Sequence, residues 1–183
     1  MNDNKVEKEA VLLHVCCGPC AVGSIPRIEE YDVTLYFANS NINSREEFDK
    51  RYQAAVTVSE YYKDDIIQEE YNHKEWAKYI EGLEDEPEKG KRCLKCFRFS
   101  FELAAKKAKE LGVKYFTSTL TISPHKNSKA IMEIGQDVAK DFGVEFLMVD
   151  FCKQNGFKLS TDLSKELNLY RQKYCGCEYS IWW

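Results

Sequence analysis

The stretch that decides the fold reads AVLLHVCCGPC and covers Ala10–Cys20. Its first six residues form a short apolar run bounded by a Gly-Pro turn signal, which predicts a buried strand over Ala10–Val15. A similar run, DVTLYFA, predicts a second strand over Asp32–Ala38. Three cysteines, at positions 16, 17 and 20, therefore lie in the loop that directly follows the first strand.

Strands and helices alternate along the rest of the chain. Three further strands are predicted over Asp65–Gln68, Val113–Leu120 and Val144–Val149, the first of them weakly. Between them, helical patterns are predicted at Arg45–Tyr62 after a capping box (Ser44 and Glu47), from Cys93 to Gly112, and around Ile131–Phe142 before Gly143. This order predicts an α/β class, with an open parallel sheet of about five strands and helices on both faces, in one domain over residues 1–183. Ligands of such sheets bind at the carboxyl ends of the strands, which points to the loop after the first strand.

The composition bounds the function classes. Hydrophobic residues make up 44% of the 183 residues and charged residues 31%, as in globular proteins, and the net charge of −4 argues against attraction of the whole surface to nucleic acid. No run of 18 apolar residues is present, and the polar N-terminus lacks the apolar core of a signal peptide. We therefore expect a cytoplasmic protein, in which the eight cysteines stay reduced and serve metal binding or redox catalysis.

The cysteines form three close groups and one singleton. Cys93 and Cys96 begin a helix, where residues three apart share a face, and Cys175 and Cys177 flank a single glycine. Together with the loop after the first strand, these groups supply enough thiolates to ligate zinc or an iron–sulfur cluster. Cys152 stands alone and is predicted to be a small core residue.

Two other interpretations stay open at this point. Cys17-Gly18-Pro19-Cys20 has the spacing of a thioredoxin dithiol at the start of a helix, which would make the protein a thiol–disulfide oxidoreductase. A zinc-structured RNA-binding module without catalysis is the other alternative. His14, which lies inside the first strand, is predicted to be a hydrogen-bonded core histidine.

Four segments of the chain resemble the epoxyqueuosine reductases of the QueH type. They are LLHVCCGPC (Leu12–Cys20), GLEDEPEKGKRCLKCF (Gly82–Phe97), TLTISPHKN (Thr119–Asn127) and YRQKYCGC (Tyr170–Cys177). The resemblance implies removal of the epoxide oxygen of epoxyqueuosine in the tRNA anticodon loop, without cobalamin, by an iron–sulfur enzyme. It also implies a fold similar to the adenine-nucleotide α-hydrolase (HUP) superfamily, with cysteines in place of that superfamily's phosphate loop.

On this resemblance, each cysteine group receives an expected role. Cys16, Cys17, Cys93 and Cys96 are expected to hold the cluster, a 4Fe–4S cluster, and Cys20 to bind a further iron ion. Cys175 and Cys177 are expected to form a redox-active pair, because a disulfide across one residue is strained and easily reduced, although the same pair could equally donate ligands to a metal. The metal-binding insert is expected around residues 83–97, followed by a cysteine-containing C-terminal tail.

The remaining expectations concern protons and RNA. His125 is the expected proton donor. Phosphate contacts are expected from six basic residues: Lys91, Arg92, Lys95, Arg98, Lys126 and Arg171. The aromatic residues of the tail either stack on bases or form a docked terminus: Tyr170, Tyr174, Tyr179, Trp182 and Trp183. The chain is expected to act as a monomer with a separate electron donor.

Overall fold

The structure, a computed structural model, describes residues 8–181. Its centre is a parallel sheet of five strands in the order β3-β2-β1-β4-β5. The strands are β1 (Ala10–His14), β2 (Asp32–Phe37), β3 (Asp65–Gln68), β4 (Tyr115–Ser118) and β5 (Glu145–Phe146). The predicted α/β class and the parallel five-stranded sheet are confirmed. Trp182 and Trp183, for which base stacking or docking of the terminus is predicted, lie outside the described residues.

Six α-helices accompany the sheet in the described part of the chain. They are α1 (Gly18–Ser24), α2 (Arg45–Tyr62), α3 (His73–Tyr79), α4 (Lys91–Glu110), α5 (Ser128–Phe142) and α6 (Gly156–Glu166). The predicted capping box opens α2, because the Ser44 hydroxyl accepts a hydrogen bond from Glu47 N at 3.2 Å. Glycines at positive φ follow α4 and α5, as predicted: Gly112 at 69° and Gly143 at 73°.

The core lies on both faces of the sheet, because alternate residues of β1 point to opposite sides. Val11 and Leu13 pack with residues of α1, α2 and α6. Leu12 packs on the other face, with Phe101 of α4 and Ile131 of α5. The central position of β1 buries it completely from Val11 to Leu13, and the predicted helices on both faces are confirmed.

Two predicted strands are shorter than their apolar runs. β4 ends at Ser118, whose side chain accepts a hydrogen bond from Leu120 N at 3.2 Å and starts a 3₁₀ turn over Thr119–Ile122. β5 ends at Phe146, because Val149 N then bonds locally to Leu147 O at 2.9 Å. Local hydrogen bonds thus replace the ladder, and both chain segments turn at the carboxyl edge of the sheet.

Candidate metal centre

The topological switch point of the sheet lies between β1 and β4. From β1 the chain proceeds to β2 and β3 on one side, and later to β4 and β5 on the other. His14 and Ser118 are register partners at the carboxyl ends of β1 and β4. The cysteine loop follows His14 at this point, where open parallel sheets bind their ligands.

The first cysteine group, Cys16, Cys17 and Cys20, spans the junction of β1 and α1. Cys17 is the N-cap of α1, which packs so closely on α2 that a Cβ added at Gly18 would lie 2.5 Å from Ala54 O. A glycine is therefore needed at this position. The three sulfur atoms all lie within 4.8 Å of one another.

Hydrogen bonds divide the protons of this group unequally. Bonds with the Cys16 and Cys20 thiols hold the pKa of Cys17 well below its usual range. The bond with Cys17 raises the pKa of Cys16 to about 11, and bonds with Cys16 and Cys17 raise the pKa of Cys20. The Gln172 amide also donates to Cys17 Sγ, at 2.9 Å. One thiolate hydrogen-bonded by two thiols is a donor set that fits a cation, whose binding would displace the two remaining protons.

Residues at the carboxyl ends of β1 and β4 contact the first group or lie next to it. Thr119 Oγ1 donates a hydrogen bond to Cys16 Sγ at 3.3 Å. The His14 ring lies 2.9 Å from Ser118 Oγ through Nδ1 and 3.3 Å from Ala38 O through Nε2. Burial lowers the pKa of His14, which favours the neutral ring. The prediction of a hydrogen-bonded core histidine is confirmed.

The second cysteine group consists of Cys93, Cys96, Cys175 and Cys177. These residues line one small cavity of about 20 Å³, to which the start of α4 and the C-terminal segment contribute two cysteines each. Two donors point at its sulfurs: Lys89 N at 3.2 Å from Cys93 Sγ and Trp76 Nε1 at 3.3 Å from Cys96 Sγ. Burial raises the pKa values of Cys93, Cys96 and Cys177. By donor type these four thiols suit zinc or an iron–sulfur cluster. Among the described residues, however, only the first group brings three ligand atoms within 4.8 Å of one another.

A larger cavity of about 630 Å³ connects the two groups. Cys16 and Cys20 line it from the first group, and Cys96 and Cys175 from the second. Its lining also carries several basic side chains, among them Lys89, Lys126, Arg171 and Lys173. Burial works against the charge of Lys126, but the neighbouring thiols, led by Cys175, raise its pKa. The cavity thus combines thiols with positive charge on a protein whose net charge is −4.

The structure groups the thiols differently from the expected ligand set. Cys16 and Cys17 lie with Cys20, whereas Cys93 and Cys96 face Cys175 and Cys177 across the small cavity. All eight cysteines are free thiols. The expected cluster ligands are therefore divided between two neighbouring groups, because the C-terminal segment folds back onto α4.

The expected RNA contacts are also redistributed. Arg92 is only 2% exposed, and its guanidinium donates to the carbonyls of Leu83, Glu84 and Glu86, so it holds the loop before α4 and is not available to RNA. Arg98 is paired with Glu102 at 2.9 Å and Asp141 at 2.6 Å. Lys126, Arg171 and His125 line the large cavity. Lys91 is exposed and Lys95 half-buried, both on α4.

The site also contains residues outside the predicted set of phosphate contacts. Lys89 and Lys173, two further basic residues close to that set in the sequence, line the cavity. Gln172 and Trp76 carry no signal of their own, because their contacts with Cys17 and Cys96 are made over long sequence separations. Tyr170 and Tyr174 are docked by their hydroxyls, to Glu47 at 2.7 Å and Asn43 at 2.8 Å. Among the described helices, none combines the length and apolar character needed to cross a membrane.

Comparisons with known structures agree with the fold. A subunit of tRNA methyltransferase from Methanocaldococcus jannaschii, described as predicted, superposes with a TM-score of 0.54 at 12% identity. The match covers 83% of this chain and 76% of that one. At this identity the likeness concerns the fold alone, and it agrees with the parallel α/β architecture described above.

Comparisons of sequence identify the family. A family model described as "Epoxyqueuosine reductase QueH" matches residues 11–182. A Streptococcus pyogenes protein of that name is 42% identical over 185 residues, covering 95% of this chain and 72% of the relative. A Thermotoga maritima protein of the same name is 35% identical over 174 residues, covering 93% of this chain and 90% of the relative. The chain therefore belongs to the epoxyqueuosine reductase QueH family.

Proposed function

We propose that this epoxyqueuosine reductase performs its reaction in the 630 Å³ cavity between the two cysteine groups, on the modified base of a tRNA. The reaction removes the epoxide oxygen: both C–O bonds break, an alkene forms, and two electrons and two protons convert the oxygen to water. The product is queuosine. Because the substrate is a tRNA, we place the activity in the cytoplasm.

One observation carries this proposal. Three thiols whose sulfurs lie within 4.8 Å of one another stand at the switch point of the sheet, and two of them, Cys16 and Cys20, line a cavity large enough for a base. Side chains of the common amino acids other than thiols supply no electrons. A thiol donor set, with or without bound iron, is therefore the part of this chain that is suited to electron transfer.

The cysteines fit the metal that the family resemblance implies. Cys16, Cys17 and Cys20 would hold one iron centre and the second group another, and one of the two would be a 4Fe–4S cluster. With three protein ligands the first group would leave room for substrate, whereas the second group offers four thiols. Bound there, iron supplies electrons and Lewis acidity toward the epoxide oxygen.

The chain itself supplies binding and protons. Lys126 and His125 line the cavity, and the raised pKa of Lys126 keeps an ammonium there that can hydrogen-bond a developing alkoxide. Lys89, Arg171 and Lys173 are exposed at the same cavity and are suited to backbone phosphates of the anticodon loop. This surface includes Lys126 and Arg171 of the expected contacts and adds Lys89 and Lys173 to them.

The proposal is tested with anaerobically reconstituted protein and a tRNA that carries epoxyqueuosine. With dithionite as electron donor, we expect nucleoside mass spectrometry to show loss of one oxygen atom and formation of queuosine. Cys152→Ser serves as the matched control, because Cys152 belongs to neither group. Unchanged epoxyqueuosine with iron-loaded protein, under conditions in which tRNA binds, would contradict the proposal.

A further inference from the structure

We propose that Arg51, a buried residue of α2, is a positioning residue for both cysteine groups. It holds the backbone of the segment Tyr170–Cys177, called here the cysteine tail. The inference rests on the proposed function only in assuming that these thiols bind the metal of the reductase. The geometry of the tail stands independently of it.

The Arg51 guanidinium donates hydrogen bonds to the cysteine tail and to one carboxylate. Its side chain is 2% exposed. Nε donates to Glu47 Oε1 at 2.8 Å, while the two terminal nitrogens donate to Cys175 O at 2.7 Å and Tyr174 O at 3.1 Å. The guanidinium carbon also lies 5.1 Å from the centre of the Tyr174 ring. A buried charge is tolerated when it is paired and hydrogen-bonded in this manner, and the planar fork of arginine reaches all three acceptors at once.

Other residues of the same region form hydrogen bonds with the two ends of the cysteine tail. Glu47, the carboxylate partner of Arg51, accepts the Tyr170 hydroxyl on its second oxygen at 2.7 Å. Asn43 N donates to Gly176 O at 2.9 Å. Gly176 has a φ of 146°, and a Cβ there would lie 3.0 Å from Asn41 Nδ2 and 3.3 Å from the Arg51 guanidinium. The positive φ strains any residue with a Cβ at this position, and the two contacts would add to that strain.

Between these ties, the tail reaches both cysteine groups. Gln172 donates to Cys17 in the first group, and Cys175 and Cys177 complete the second group. Arg51 donates a hydrogen bond to the carbonyl of Cys175 itself. It therefore positions the proposed metal ligands of the second group through their backbone. Removing its guanidinium leaves two carbonyls and one carboxylate without their donor, which favours local opening of the tail.

Thiol alkylation of the metal-free, reduced full-length protein tests this inference. Rates at each cysteine are followed by mass spectrometry with N-ethylmaleimide in Arg51→Met and in Arg45→Met. Arg45 is the matched control, because its Nε lies 2.8 Å from the Asp49 carboxylate on the same helix, the same distance as in the Arg51–Glu47 pair. The difference is exposure: 62% and 50% for the side chains of the control pair.

In Arg51→Met we expect Cys175 and Cys177 to react at least about tenfold faster, in proportion to the population of the open tail. The rate at Cys152 should stay unchanged, and Arg45→Met should match the wild type at every thiol. Unchanged rates at Cys175 and Cys177 in folded Arg51→Met would overturn the inference. A uniform rise at every cysteine, Cys152 included, would overturn it as well, because Arg51 would then support the whole fold.

Arg51→Lys decides the matter if the methionine variant fails to fold. Lysine keeps the charge beside Glu47 but cannot serve one carboxylate and two carbonyls in the fixed fork geometry. We expect faster alkylation at Cys175 and Cys177 in this variant too, with Cys152 unchanged. Alkylation of Cys175 and Cys177 at wild-type rates in Arg51→Lys would contradict the inference. Because no metal or tRNA is present, these results are independent of whether the proposed reductase reaction occurs.

Discussion

The two cysteine groups differ in how the chain assembles them. The first, Cys16, Cys17 and Cys20, comes from five consecutive residues that follow the most buried strand and begin a helix packed on α2. The second joins the first turn of α4 to the tail, across long sequence separations. The sheet therefore fixes the first group, whereas the second forms only when the tail docks.

This difference separates the two groups chemically as well. In the first group, the thiols share hydrogen bonds and one of them has a lowered pKa, so the group is prepared to bind a cation. In the second group, burial raises the pKa values of the thiols that it affects, so deprotonation there has to be driven by the metal itself. We infer that the first group provides the open, substrate-facing site and the second a closed one.

The largest effect should come from Cys17→Ser, because Cys17 is the thiolate of the first group. We expect reductase activity to fall by more than about 100-fold, since even residues that only support metal ligands typically change activity or affinity by 10–100-fold. Iron bound by the second group should be retained. Activity assays with iron analysis check this, and a Cys17→Ser protein with wild-type activity would remove Cys17 from the metal site.

A partial loss of iron is the next expected effect, in Cys177→Ser. The variant should lose the iron of the second group and keep that of the first, because all three thiols of the first group come from the loop after β1 and none from the tail. Iron quantification and absorption spectra of anaerobic samples measure it, with Cys152→Ser as the control. Full iron content with lost turnover would instead make Cys175 and Cys177 a redox-active pair, and the second group would shrink to Cys93 and Cys96.

A smaller effect is expected on tRNA affinity. Replacing Lys89 and Lys173 by alanine should weaken binding and reduce the slope of log K against log salt by about 2, roughly one for each lost phosphate contact. Lys106 and Lys109, exposed on α4 away from the cavity lining, provide the matched double control. Salt titrations of binding, measured at constant iron content, distinguish the two surfaces. An equal loss in the control would move the RNA surface back to α4.

The smallest effect concerns Trp76, which is fully buried and donates its indole N–H to Cys96. Hydrogen bonds to cluster sulfurs stabilise the reduced, more negative state, so Trp76→Phe should lower the reduction potential of the second centre and leave that of the first unchanged. Phe99→Leu reduces side-chain volume in the same apolar cluster without removing a hydrogen bond, and it controls for packing. Equal shifts in the two variants would assign the effect to packing alone.

The fold and the first group were predictable because their signals are local. An apolar strand, an alternation of strands with helices, and three close cysteines point to the switch point of a parallel sheet, and the structure bears out the fold. The second group was not predictable from spacing: its members had been divided between a cluster and a redox pair. Burial also escaped the sequence, since Arg92 carries the same charge as its exposed neighbour Lys91 and yet serves backbone carbonyls.

The most direct test of two separate metal sites is anomalous diffraction at the iron edge from anaerobic crystals of the reconstituted protein. We expect two resolved peaks, one bonded to the sulfurs of Cys16, Cys17 and Cys20 and the other to those of Cys93, Cys96, Cys175 and Cys177. A single peak bonded by Cys16, Cys17, Cys93 and Cys96, with Cys175 and Cys177 unligated, would contradict this account.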